Sequence, residues 1–182
     1  GIRDSPTTDE EVVERVREWV VKGKVWAQRM MAGYYEDGAR GLKQSYVMAA
    51  MLYEKAVEQG DLGAMNDLAF MYQNGKGVVQ SFQKAVELYT MAAEKGEASA
   101  MFNLGVLYFQ GQGVAQSNNL ARKWWTKAAN EGDESALKNL KLLDQQEATT
   151  ATTATTTSTT TTTTTTSSRC CAACNTPQTN NH

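Results

Sequence analysis

The residues best equipped for chemistry are few, and most of them sit near the C-terminus. All three cysteines, Cys170, Cys171 and Cys174, lie there, as does the single histidine, His182. Cys171 and Cys174 make one C-x-x-C knuckle. A structural zinc site normally draws four ligands from two such knuckles, so the spacing predicts exposed thiols and no metal. A Ser-His-Asp triad or a Cys-His pair needs a histidine held by a fold. A terminal histidine is poorly placed for that, and no catalytic residue is expected. Glu10, Glu11, Glu14 and Glu18 alternate with Arg15 and Arg17 at helical spacings. That pattern is a solvated helix face rather than an acid–base pair.

The remaining candidates are glycine pairs: NGKGVVQS at 74–81, QGQGVAQS at 110–117 and the longer DGARGLKQS at 37–45. Glycine-rich loops can cradle phosphate through their backbone amides. Here Gln80 stands where a G-x-G-x-x-G motif needs its third glycine, and no Lys-Ser/Thr pair follows. The segment before the loop has a helical rather than a strand pattern. The loops therefore read as chain reversals, with Val78 and Val114 tucked between the helices they join. No cofactor is expected.

The same loops measure the chain. Ala64, Leu68, Tyr72, Gly75, Gly77, Val78, Ala85, Ala92, Ala93 and Gly96 recur as identical residues from Ala100 to Gly132, a period of 36 residues. Gln44, Ser45, Ala49, Leu52, Tyr53, Ala56 and Gly60 supply the second half of an earlier unit, and Ala27 and Tyr35 belong to its first half. That unit carries one extra loop residue. A partial unit starts at Ala136 and Leu140. Within each unit, Ala64, Leu68, Met71 and Tyr72, then Ala85, Leu88, Tyr89, Ala92 and Ala93, mark two helices with one apolar stripe each. Gly60, Gly96 and Gly132 suit left-handed helix ends, and Asp61 and Asp133 suit the helix starts that follow.

This pattern resembles the Sel-one-like repeats (the SLR family), relatives of tetratricopeptide repeats. The third unit carries it most fully: Ala100, Leu104, Gly105, Tyr108, Gly111, Gly113, Val114, Ala121, Trp124, Trp125, Lys127, Ala128, Ala129, Gly132 and Asp133. Ala69 replaces the family's glycine in the second unit, and Met31 and Ala32 fill the Leu-Gly slots of the first. Some secreted bacterial relatives bridge their helices with cysteine pairs. This repeat region has no cysteine, so that subgroup is not implied. The resemblance implies an all-α fold: a right-handed α-solenoid of antiparallel helix pairs, a tetratricopeptide-like superhelix of about three and a half repeats.

Domain boundaries follow. Residues 1–23 read as an N-terminal capping helix with a capping box at Thr8–Glu11 and an apolar stripe of Val12, Val16, Trp19 and Val20. Residues 24–147 are the solenoid, with units at about 24–61, 62–97 and 98–133 and a partial unit at 134–147. Residues 148–182 are Thr-rich, lack an apolar face and are expected to be a disordered tail. The 182 residues carry a net charge of −2, which argues against an electrostatic nucleic-acid binder. No apolar run suggests a membrane span. A body without cysteines fits a reducing compartment, and a cytoplasmic location is expected. The chain opens at Gly1 rather than Met, which leaves room for an upstream domain or targeting segment.

Solenoids of helix pairs offer a concave face lined by first helices. Asn66, Phe70 and Gln73 lie on the first helix of the second unit, away from its packing stripe. Their equivalents are Phe102, Val106 and Phe109 in the third unit, and Arg29, Gly33 and Glu36 in the first. Related tetratricopeptide units use similar positions for ligands. An exposed Phe70, Phe102 and Phe109 would form a binding patch; packed between helices, they would instead extend the core. Met30, Met31, Met48 and Met51 read as fillers of core gaps or as a soft contact surface. The expected function is a non-enzymatic scaffold or adaptor that binds a protein or peptide in its groove. The alternative is the substrate-recognition part of a ubiquitin-ligase or protein quality-control assembly whose catalytic domain lies elsewhere.

Overall fold

The computed structural model describes residues 8–160, and all its regular elements in that range are helices. In chain order they are α1 (Asp9–Val21), α2 (Val25–Asp37), α3 (Tyr46–Glu58), α4 (Leu62–Asn74), α5 (Phe82–Glu94), α6 (Ala98–Gln110), α7 (Asn118–Asn130) and α8 (Glu134–Thr160). The pairs α2–α3, α4–α5 and α6–α7 are the three units. Each helix from α1 to α6 packs against the next one, giving the α-solenoid that the repeat predicts. Ala27, Ala64, Ala100 and Ala136 hold one position in successive first helices and are fully buried. Ala49, Ala85 and Ala121 do the same in the second helices. A missing side chain at these points lets backbones approach, and a larger residue there would overpack the interface.

Each loop is a repeated set of caps. Gly38, Gly75 and Gly111 end the first helices with φ near 66–69°. The Gln44, Gln80 and Gln116 side chains then donate Nε2–H to the carbonyls of Glu36, Gln73 and Phe109 at 2.8, 2.8 and 2.9 Å. The next residue, Ser45, Ser81 or Ser117, accepts a bond from the amide of Met48, Lys84 or Leu120 and starts the second helix. These bonds satisfy carbonyls and amides that a helix end leaves without partners. The second glycine has a different task. A Cβ on Gly77 would overlap the Tyr46 backbone, and one on Gly113 would come within 2.7 Å of the Phe82 carbonyl. In the second and third units the loop thus presses on the start of the preceding unit's second helix. Val78 packs against the core of the first unit, a contact across units as well as within one.

The first unit's longer loop reaches the capping helix. Arg40 adopts φ 58° and sets its guanidinium 2.6 Å from Asp9 at the start of α1. The expected capping box is present, with Thr8 and Glu11 exchanging both bonds at 3.2 Å. Val13 and Val16 bury the inner stripe of α1 against the core of the first unit.

The compact body runs to Leu143, which is buried with Ala136 against the third unit. The helix itself runs from Glu134 through Thr160. Its Thr149 and Thr150 hydroxyls donate to the carbonyls of Gln146 and Glu147 at 2.8–3.1 Å. Threonine can occupy a helix by this back-bonding despite its weak propensity. The remainder of the predicted tail, with all three cysteines and His182, lies outside the described residues.

Candidate partner-binding surface

The repeat puts a different set of residues on the same face of each first helix. In the third unit Phe102, Val106 and Phe109 are half-buried and packed on the core. The Phe109 ring lies 5.6 Å from Trp125, and the Phe102 carbonyl accepts Trp125 Nε1–H at 3.2 Å. In the second unit Phe70 is 40% exposed, with Lys76 Nζ 4.9 Å above its ring. Gln73 is half-buried and accepts the Tyr89 hydroxyl at 3.1 Å. Asn66 accepts a bond from Asn103 Nδ2 at 3.1 Å, which ties α4 to α6. Arg29 reaches Asp61, the N-cap of α4, at 3.3 Å. The spacing groups nine residues, and the structure divides seven of them. Phe70 and Arg29 are open to solvent, Asn66 and Gln73 serve as bridges, and the third-unit trio faces the core.

The most open part of this face lies between the first and second units. Trp26, Arg29 and Met30 of α2, Tyr53 of α3, and Asp61 and Asp67 at α4 line a hollow of about 370 Å³. That is within the size range of ordinary ligand pockets, roughly 300–1,000 Å³. Trp26 is 49% exposed and Met30 43% exposed. Gly63 makes room for the hollow's polar wall, since a Cβ there would overlap the Arg29 guanidinium. Behind it, Tyr53 donates to Glu36 at 3.2 Å, and Glu36 pairs with Lys76 at 3.7 Å. Burial pushes the Asp67 carboxyl above the usual range, opposed by the hydrogen bond from Asn66 and by Arg29. Burial, aided by Asp67, also holds the Tyr53 and Tyr89 phenols well above theirs.

Spacing alone does not find Trp26, Tyr53 or Asp67. They come from three helices, and Tyr53 reads as part of a packing stripe. The one available signal was the change of residue type at equivalent positions. Trp26 corresponds to Gly63 and Ser99, and Asp67 to Met30 and Asn103. Met31 fills the core, while Met30, Met48 and Met51 are exposed. A second hollow, of about 490 Å³, lies between α1 and the loop at Arg40–Leu42. Four of its charges pair as Arg40–Asp9 and Arg17–Glu14, and Glu10 lines it as well. Among the described residues, no group of three or more His, Cys, Asp or Glu is arranged to hold a metal ion. No helix among them is long and apolar enough to cross a membrane.

The family model for the Sel1 repeat matches residues 27–61, 63–97 and 98–133, the three helix pairs described above. The chain belongs to the Sel1 repeat family. Sel1 repeat proteins are generally non-catalytic scaffolds, and many mediate protein–protein interactions. Among solved structures, the chain is similar to c5321, a protective antigen of uropathogenic Escherichia coli strains that displays an SLR fold. The TM-score is 0.72 at 28% identity, covering 75% of this chain and 29% of that one. A Sel1 repeat protein from Oxalobacter formigenes gives a TM-score of 0.62 at 30% identity, covering 66% and 49%. Cysteine-rich protein B of Helicobacter pylori shares the fold, with a TM-score of 0.59 at 23% identity over 74% of this chain and 98% of that one. No curated protein matches the chain. This Sel1 repeat chain therefore spans less than half the length of the first two relatives.

Proposed function

We propose that this Sel1 repeat chain is a non-enzymatic interaction module that holds a peptide or helical segment of another protein against its first-helix face. The observation that carries this reading is the exposed Trp26 and Met30 lining the α2–α4 hollow, with exposed Phe70 three residues after Asp67 on α4. Large apolar side chains left in solvent beside a concave polar wall are typical of contact anchors. In the third unit the same face is closed by Phe109 and Trp125, so capture centres on the first two units. A photo-crosslinking amino acid at position 70 tests this. It should trap a discrete partner in the cells of origin, whereas the same probe at Lys84, on the outer face of α5, should not. Equal trapping at both positions would contradict the proposal.

Substrate selection for a ubiquitin-ligase or quality-control assembly is one setting for such a module. Sequence upstream of Gly1 bears on it directly: paired C-x-x-C motifs there would support it, and an initiator Met immediately upstream would oppose it.

A further inference from the structure

The α2–α4 hollow has a charge as well as a shape. Two carboxylates line it, Asp61 and Asp67, and a third, Glu36, stands behind it on Tyr53. Two cations offset two of them, Arg29 on Asp61 and Lys76 on Glu36. Asp67 receives its hydrogen bond from Asn66, a neutral amide, at 3.3 Å. The hollow therefore contains one more carboxylate than its own cations balance. Beside this excess charge stands the exposed indole of Trp26, the aromatic ring that attracts cations most strongly. Neither feature recurs in the other units, where Ser99 and Asn103 occupy the equivalent positions of the third. An anionic partner group would meet Asp67 and Glu36 repulsively and would have to draw Arg29 away from Asp61.

We propose that this hollow receives the cationic side chain of a Lys or Arg in the bound segment, between Trp26 and Asp67, while Met30 and Phe70 contact the apolar residues beside it. This rests on the groove reading above and names the partner's chemistry: a basic residue flanked by aliphatic or aromatic ones. Rim carboxylates of this kind set partner choice, and a partly desolvated charge pair contributes to affinity as well.

The test uses the full chain panned against a random-peptide phage library, with the enriched peptides measured by fluorescence anisotropy. The enriched sequences should share a Lys or Arg beside apolar residues. Asp67→Asn should weaken them about tenfold, in the range found for charge pairs at interfaces. Replacing the peptide's basic residue by norleucine should lose a similar factor on the wild type and little more on Asp67→Asn. Trp26→Ala should also weaken binding, measured well below the variant's own melting temperature because the indole also packs on Trp19 at 6.1 Å. Acidic or neutral enriched peptides, or binding indifferent to Asp67→Asn, would overturn the cation site. If those peptides still need Phe70, the groove reading survives without it. Indifference to Phe70→Ala and Trp26→Ala, or no enrichment at all, counts against both.

Discussion

Asp67, Tyr53 and Tyr89 share a partly buried region, and burial shifts all three in the direction of the neutral form. For Asp67 the consequence has a definite sign. Its folded carboxyl holds a proton more tightly than the unfolded chain does. Stability from this group is therefore complete below the ordinary Asp range, near about 4, and falls as pH rises through the folded value. At neutral pH the ionised Asp67 costs stability. Asp67→Asn should raise the melting temperature at neutral pH and change it little at pH near about 4. A thermal melt series at several pH values checks this; a lower neutral melting temperature for the variant would contradict it.

Trp125 gives a second residue-level prediction. A Cβ on Gly105 would stand 2.5 Å from Trp125 Nε1. The equivalent positions are Ala32 and Ala69, which share core clusters with the smaller rings of Tyr53 and Tyr89. The departures from the family's glycine thus follow the size of the ring opposite. Gly105→Ala should destabilise the protein by about 1–3 kcal/mol through overpacking. Adding Trp125→Tyr should recover part of that in a denaturant titration.

The helix pair and its loop form the next scale. Helices, their stripes and their glycine ends were legible because they recur at one period. Gly60, Gly96 and Gly132 take positive φ as expected, and Asp61 and Asp133 cap the helices that follow at 2.7 and 2.9 Å. The role of the Gln-Ser pair was not legible, although the pair recurs in every loop. Gln44, Gln80 and Gln116 reach back to carbonyls seven or eight residues upstream, and no local propensity encodes that reach. The two glycines of a loop look alike in sequence and differ in space. Gly75 needs chiefly its left-handed conformation, a Cβ there meeting Gln80 Cβ at 3.3 Å, whereas a Cβ on Gly77 would overlap the Tyr46 backbone. Gly75→Ala should cost about 1–2 kcal/mol, mainly from conformation. Gly77→Ala should cost more, because backbone from the preceding unit must shift. Equal unfolding midpoints for the two variants would refute the inter-unit contact.

Over the whole molecule, periodicity determines what the sequence can reveal. It locates residues that every unit repeats, which are the packing residues. A binding surface consists of residues that units do not share, and Trp26, Tyr53 and Asp67 come together only through stacking. Phe102 and Phe109 show the converse. Their spacing matches that of Asn66 and Gln73, yet they are half-buried because Trp125 offers a larger apolar partner than Tyr89 does. Composition also weighs threonine's propensity but not its back-bonding, which Thr149 and Thr150 make to carbonyls of the preceding turn.

Hydrogen–deuterium exchange of the full chain, with and without an enriched basic peptide, tests the central claim most directly. Exchange reports local opening along the backbone, so it separates the faces of a helix pair. Binding should slow exchange in α2 and α4 and leave α5 and α7 unchanged. Protection centred on the second helices, or none at saturating peptide, would contradict the first-helix face as the site of capture.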